Sequence, residues 1–190
     1  HNGLEEAART FGARLIVQSV PGYGGALKTG FQQAQGVYIL TMGADGSHEP
    51  NFVSKLWANR HQAEMVIASR YVRGGVAYMP LTRTLLSRVL NRLFTKGLSL
   101  DLCDISSGFR LYRSSLVKHL VLTGSDVDLL PEIIVRAYGA GWRILEVPFT
   151  YFPRLKGGGQ ARMVRAGANL AKTFVRMWRL RRSIESADYD

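Results

Sequence analysis

Gly36-Val37-Tyr38-Ile39-Leu40-Thr41-Met42-Gly43-Ala44-Asp45-Gly46-Ser47-His48-Glu49-Pro50 joins a short apolar run to a loop of turn-forming and polar residues. Val37 to Met42 has the length and β-rich composition of a buried strand, and it stops abruptly at Gly43. In an open α/β sheet, ligands bind beyond the carboxyl ends of the strands. Asp45, with Ser47 and His48 beside it, is therefore a candidate for holding a metal ion or a phosphate-bearing molecule. Asp-Gly-Ser-His is also an ordinary turn composition, so the loop has to be judged with its surroundings.

Upstream, Leu4 to Phe11 has helical character and Ala13 to Val20 reads as a strand. Pro21-Gly22-Tyr23-Gly24-Gly25 is a glycine-rich turn, followed by a helix over Ala26 to Ala34 with Leu27, Phe31 and Ala34 on one face. Glycines between a strand and a helix let backbone amides approach a phosphate at the helix N-terminus, although a tight turn explains them equally well. Downstream come a helix over Asn51 to His61 and an apolar strand over Glu64 to Ser69. This alternation predicts an α/β protein with a doubly wound parallel sheet.

Arg70 stands where that last strand ends, on the sheet edge expected for Asp45. A basic loop to Gly75 leads into a helix over Thr82 to Gly97 whose buried stripe is predicted as Leu85, Leu86, Val89, Leu90 and Leu93. Asp101 to Arg113 is a dense polar cluster. A helix over Asp128 to Gly139 carries Glu132, and a strand spans Arg143 to Tyr151. Pro153 to Gly159 has the composition of a lid or a linker. A long helix over Ala161 to Arg182 then closes the pattern. Met163, Val164, Leu170, Phe174, Val175 and Trp178 recur on it at helical spacing. From Arg154 to Arg182 there are nine basic residues and no acidic one, which suits a helix on anionic lipid or a solvated basic rim on a docked helix.

The 190 residues suffice for one domain with a sizeable core, and 46% hydrophobic with 21% charged residues describes a globular chain. A formal net charge of +11 calls for an anionic partner. The single cysteine, Cys103, excludes an internal disulfide and a cysteine-rich zinc site. No run reaches the roughly 20 apolar residues of a spanning helix. The chain opens with His1 directly before a helical segment, from which truncation is expected.

Five motifs occur in order: Gly22-Tyr23-Gly24-Gly25-Ala26-x-x-x-Gly30, Gly43 to Pro50, Ser69-Arg70-Tyr71-Val72-Arg73-Gly74-Gly75, Asp104-Ile105-Ser106-Ser107-Gly108-Phe109-Arg110, and Glu146-Val147-Pro148-Phe149. Together they resemble family-2 glycosyltransferases, and within them the dolichol-phosphate mannose synthase-like branch. The resemblance implies a GT-A (Rossmann-like), mostly parallel sheet flanked by helices and lacking its first β-α-β unit. Residues 1–152 would be the partial GT-A domain, and 153–190 the basic Gly-rich loop and C-terminal amphipathic helix. The implied reaction is inverting transfer of a hexose from a nucleotide-diphosphate sugar to a polyprenyl or dolichyl phosphate, with Mg2+ or Mn2+ as cofactor.

By the same resemblance, Asp45 and Ser47 hold the metal, and Gly22, Gly24, Ala26, Gly30 and Asp45 shape the donor site. Arg70, Arg83 and Arg154 with Lys156 bind the acceptor phosphate, whose nucleophile is already ionised and needs no base. Arginine suits that task because its planar fork binds phosphate oxygens in pairs. The chain departs from the family in having Gly43 where a first metal-loop Asp is usual, and in keeping only Arg154 and a glycine of the usual lid. The implied location is cytoplasmic and peripheral at the membrane face, with a membrane-anchor subunit left open and no nucleic-acid partner. Two other readings stand beside it. One is a transferase acting on a saccharide hydroxyl, for which Glu132 or Asp104 would have to serve as base. The other is a non-catalytic basic module that binds anionic membranes or nucleic acid.

Overall fold

The computed structural model describes residues 2–152 and 161–187. In chain order the elements are α1 (Asn2–Thr10), α2 (Tyr23–Gln33), β1 (Tyr38–Thr41), α3 (Phe52–Ala58), β2 (Met65–Ser69), β3 (Val76–Ala77), α4 (Leu81–Gly97), β4 (Arg110–Arg113), α5 (Ser114–His119), α6 (Leu129–Gly139), β5 (Ile144–Pro148), β6 (Thr150–Tyr151) and α7 (Ala161–Ala187). A four-stranded sheet has the order β1-β4-β2-β5, and β3 pairs with β6 in a separate two-stranded sheet.

β2 is buried along its whole length, which is why its sequence is continuously apolar. Its side chains alternate between faces. Met65 and Ile67 enter a core built with α4, α6 and α7, whereas Val66 and Ala68 enter a second core with Leu56 of α3, Phe109 and Phe149. β1, β2 and β5 share one direction, as the strand–helix alternation predicts. β4 runs against them, antiparallel to both β1 and β2, so the sheet is mixed.

Three sequence expectations change. Ala13 to Val20 pairs with no described strand and stays exposed, with Val17 85% accessible. A strand needs a neighbour for its backbone groups, and none lies beside it among the described residues. Second, β4 arises within the polar cluster at 101–113, where no strand is expected from the sequence, and α5 follows directly after it. Third, the stripe Leu85, Leu86, Val89, Leu90 and Leu93 does not make the buried face of α4. Leu85 is 65% and Leu93 60% exposed, while Asn91, Phe94 and Thr95 turn inward.

The cause of that inversion is polar. Asn91 Oδ1 accepts from the Ile105 amide, its Nδ2 donates to the Ser87 carbonyl and Ser106, and Ser87 Oγ accepts from the Tyr71 hydroxyl. The buried Ile105 amide requires a partner, and Asn91 on the polar face of α4 supplies it. At its far end α4 meets α7, where Phe94 and Phe174 pack edge to face with centroids 5.2 Å apart. α7 buries Met177 with Phe174, Leu180 and Ile184; Phe174 of the apolar residues named for it lies in this seam, whereas Val175 and Trp178 are exposed. Arg176 turns inward as well, donating to Asp128, Glu132 and Thr123.

Candidate active site

Because β1, β2 and β5 run in one direction, their carboxyl ends deliver 42–50, 70–75 and 149–152 to one edge of the sheet. β4 begins at that edge, so 104–109 lies there too: Arg110 is the register partner of both Thr41 and Ile67. Thr41 Oγ1 donates to the Gly108 carbonyl at 2.8 Å, joining the Asp45 loop to this fourth segment.

The Asp45 loop is tightly folded. The Gly43 amide donates to His48 Nδ1 at 2.8 Å, and Asp45 Oδ1 accepts from the amide (3.1 Å) and hydroxyl of Ser47. Gly46 has φ +77°, a left-handed conformation that favours glycine. The His48 ring stacks on Phe109, 4.7 Å between centroids, and meets Phe149 edge-on. Asp45 is only partly buried, and Ser47 is buried beneath it. The loop opens onto a cleft of about 560 Å³ lined among others by Met42, Gly43, Ala44, His48, Pro50 and Phe152. A second hollow of about 490 Å³ lies on α7, lined by Ala171, Lys172, Val175, Arg176 and Arg179, which include no carboxylate.

One carboxylate cannot enclose a cation by itself, and no group of three acidic, histidine or cysteine ligands occurs among the described residues. The donor set fits a divalent ion shared between one carboxylate and the oxygens of a bound diphosphate, a usual arrangement for Mg2+.

Arg70 lies at the same edge but is heavily engaged. Its Nε donates to Asp104 Oδ2 at 2.7 Å and its Nη2 to Asp104 Oδ1 at 2.8 Å and to Ser106 Oγ at 2.7 Å. Asp104 is fully buried and also accepts from the Arg70, Ser106 and Ser107 amides. Burial alone would raise the Asp104 carboxyl, but the bonds and charge of Arg70 outweigh it and hold it below the usual carboxylate range. Burial pulls the Arg70 guanidinium down, and Asp104 more than compensates, leaving it raised. From β5, Glu146 accepts from the Cys103 and Asp104 amides and pins the segment from the other side.

Arg83 is exposed on α4 and makes no ion pair with a described residue. One turn on lies Ser87, bound to Tyr71, and the Tyr71 ring has Arg70 4.9 Å and Arg88 5.7 Å from its centroid. Tyr71 thus gathers Arg70, Ser87 and Arg88, with Arg83 on the Ser87 face of the helix. Arg88, Ser87 and Tyr71 are absent from the sequence-derived set. The spacing of Arg83 to Ser87 at i, i+4 is the signal that points to them. Arg154 and Lys156 lie outside the described residues.

Gly22 (φ +102°) caps α2, and with Ala26 and Gly30 it lies on an exposed face of that helix. Gly24 instead faces the core: a Cβ there would sit 2.5 Å from the Ser125 carbonyl carbon, so close packing alone requires a glycine. The N-terminus of α2 reaches the functional edge through Tyr23, whose hydroxyl abuts Gly108.

The two carboxylates considered as bases are both saturated. Asp104 is paired as described. Glu132 is buried and accepts from Thr123, Gly124, Arg136 and Arg176. Burial raises the Glu132 carboxyl, but those donors more than offset it and its pKa is lowered.

Residues 2–121 match the glycosyl transferase family 2 domain, and the chain belongs to that family. It is 29% identical over 186 residues to the polyprenol monophosphomannose synthase of Mycolicibacterium smegmatis, covering 94% of this chain and 67% of that protein. It is 33% identical over 141 residues to the dolichol-phosphate mannosyltransferase of Pyrococcus furiosus, covering 72% of this chain and 39% of the relative. The fold is GT-A-like. It superimposes with a TM-score of 0.72 on the glucosyl-3-phosphoglycerate synthase of Mycobacterium tuberculosis, solved with Mn2+, UDP-glucose and phosphoglyceric acid. That pair is 15% identical, and the match covers 92% of this chain and 64% of the other.

Proposed function

We propose that the intact protein transfers a hexose, of mannose or glucose type, from a nucleotide-diphosphate sugar to a polyprenyl or dolichyl phosphate at the cytoplasmic membrane face. The observation that carries this reading is the meeting, at one sheet edge, of the Asp45 loop and an arginine-rich surface whose buried carboxylate, Asp104, is already paired. Arg83, Arg88 and the Arg70 that Asp104 orients suit a phosphate nucleophile, which needs cations to hold it and no proton acceptor. The names of the two mannosyltransferases point to the same acceptor class. A divalent cation held by Asp45, with Ser47 beneath it, would supply Lewis-acid stabilisation of the diphosphate leaving group.

A hydroxyl acceptor is the second reading, and Glu49 at the cleft rim is the carboxylate it would need. Assaying the intact protein with polyprenyl phosphate and with an oligosaccharide, in wild type and Glu49→Gln, separates the two. Transfer to the lipid phosphate that survives E49Q supports the first reading. Transfer only to the oligosaccharide, lost in E49Q, overturns it.

Gly43→Asp tests the metal loop without an activity readout. A Cβ at this position would lie 3.3 Å from Asp45 Oδ1 and 3.4 Å from His48 Nδ1, tight but admissible. The added carboxylate is expected to raise Mn2+ affinity about tenfold or more by calorimetry. Unchanged affinity would remove the loop from the metal assignment.

The membrane location rests on α4. Leu81 (87% exposed), Leu85, Leu86, Val89 and Leu93 face outward, interspersed with Arg83, Arg88, Arg92 and Lys96 and with no acidic residue. No described helix is long and apolar enough to cross a membrane, and α4 has the make-up of a helix that lies in an anionic interface. Leu85→Glu is expected to weaken sedimentation with phosphatidylserine vesicles about tenfold, the free energy of roughly one leucine leaving apolar surroundings. Binding unaffected by L85E and by L93E would exclude this face.

A further inference from the structure

Tyr78 and Phe152 stack face to face, centroids 5.3 Å apart and planes inclined by 14°, although they are 56% and 45% exposed. The backbone holds them there. Val76 and Ala77 of β3 pair in register with Thr150 and Tyr151 of β6, the Tyr78 amide donates to the Tyr151 carbonyl at 2.9 Å, and the Val76 amide donates to the Phe149 carbonyl at 3.0 Å. The rings are therefore presented in one arrangement before any ligand arrives.

Their position ties them to the cleft. Phe152 lines it together with the Asp45 loop. The preceding residue, Tyr151, has its ring 5.7 Å from the Arg70 guanidinium carbon. Successive residues of an extended chain face opposite ways about 3.3 Å apart, so one short stretch presents a cation-facing ring and then a cleft-facing ring. Met42 on the same cleft and Val76 on β3 are also exposed and apolar. Three residues beyond Tyr78 the chain enters Leu81, the first of the outward leucines of α4. Apolar surface thus runs from the cleft towards the helix assigned to the membrane.

Resting on the proposed acceptor class, we propose that the Tyr78–Phe152 pair seats the isoprene units next to the acceptor phosphate and selects isoprenyl over simple phosphates. Flat aromatic faces take up methyl-branched hydrocarbon by area burial. Met42 and Val76 extend the apolar surface beside the rings, whereas a hexose platform would draw on the polar residues of the same cleft, His48 and Glu49, and would show itself in the donor KM.

The test is steady-state transfer by the intact protein to citronellyl phosphate, comparing wild type with Phe152→Ala, Tyr78→Ala and Phe152→Leu. Both alanine variants are expected to raise the KM for citronellyl phosphate about tenfold or more while the donor KM stays within about twofold of wild type. Phe152→Leu, which keeps an apolar surface, should recover most of the difference. A rise in donor KM with an unchanged acceptor KM would make the pair a sugar platform and overturn the assignment, as would no change in either constant. Should an alanine variant not fold, Phe152→Leu against Phe152→Ser carries the same comparison. Wild type that transfers to no isoprenyl phosphate overturns the parent reading and this one with it, an outcome distinct from wild-type transfer with unmoved variants.

Discussion

Asp45→Asn lowers sugar transfer by about 10²- to 10³-fold if the loop does what its position indicates, the loss expected when one pre-placed electrostatic contact to a developing charge is removed. The substitution is close to isosteric. An asparagine Oδ1 still accepts from the Ser47 amide and hydroxyl, so the turn, the His48 contact with Gly43 and the stacking on Phe109 are retained. Only the charge goes. Thermal stability should therefore stay near wild type while the Mn2+ concentration for half-maximal rate rises. Transfer at the wild-type rate would reduce the Asp45 loop to turn chemistry.

The second large effect is on stability. Asp104→Ala is expected to cost about 3–5 kcal/mol, because it leaves Arg70, only 13% exposed, without its partner in a buried setting. The amides of Ser106 and Ser107 lose their acceptor at the same time. The urea midpoint should fall with an unchanged m-value. Combining it with Arg70→Met should cost less than the two single changes added together, since the double variant removes both charges. Strict additivity would mean that the pair is not coupled.

The same carboxylates set the acid limit. Asp104 and Glu132 are both held below their ordinary values. A depressed carboxyl contributes stability that is fully present above its unfolded value, near pH 4, and is lost as pH falls through the folded value. Stability should thus be flat above about pH 5 and drop on further acidification, and Asp104→Asn should flatten that slope.

Much of the functional edge is legible locally. The apolar run ending at Gly43 and the run ending at Ser69 each announce a strand, and Asp45 and Arg70 stand just past their ends. Strand direction then follows from the helices between them, because a parallel crossover brings both ends to one side. The five motifs in order point to the family without coordinates, and the domain match bears that out.

Other features depend on partners far along the chain. Ala13–Val20 has the composition of a strand but no described neighbour to bond, whereas Arg110–Arg113, bracketed by arginines, becomes one because β1 and β2 flank it. The leucines of α4 look like a core stripe until the Ile105 amide and the Ser106 hydroxyl engage Asn91 and turn the polar face inward. Arg70 reads as a free phosphate ligand until Asp104, 34 residues away, takes two of its nitrogens. Tyr78 and Phe152 meet only through β3 and β6. Sequence by itself determined the strands that end before Gly43 and Arg70 and the helices between them, since hydrophobic period and turn chemistry act over a few residues. Tertiary structure decided which polar groups are already satisfied and which apolar faces remain open, because hydrogen-bond demand and burial are settled between segments that the chain brings together only when it folds.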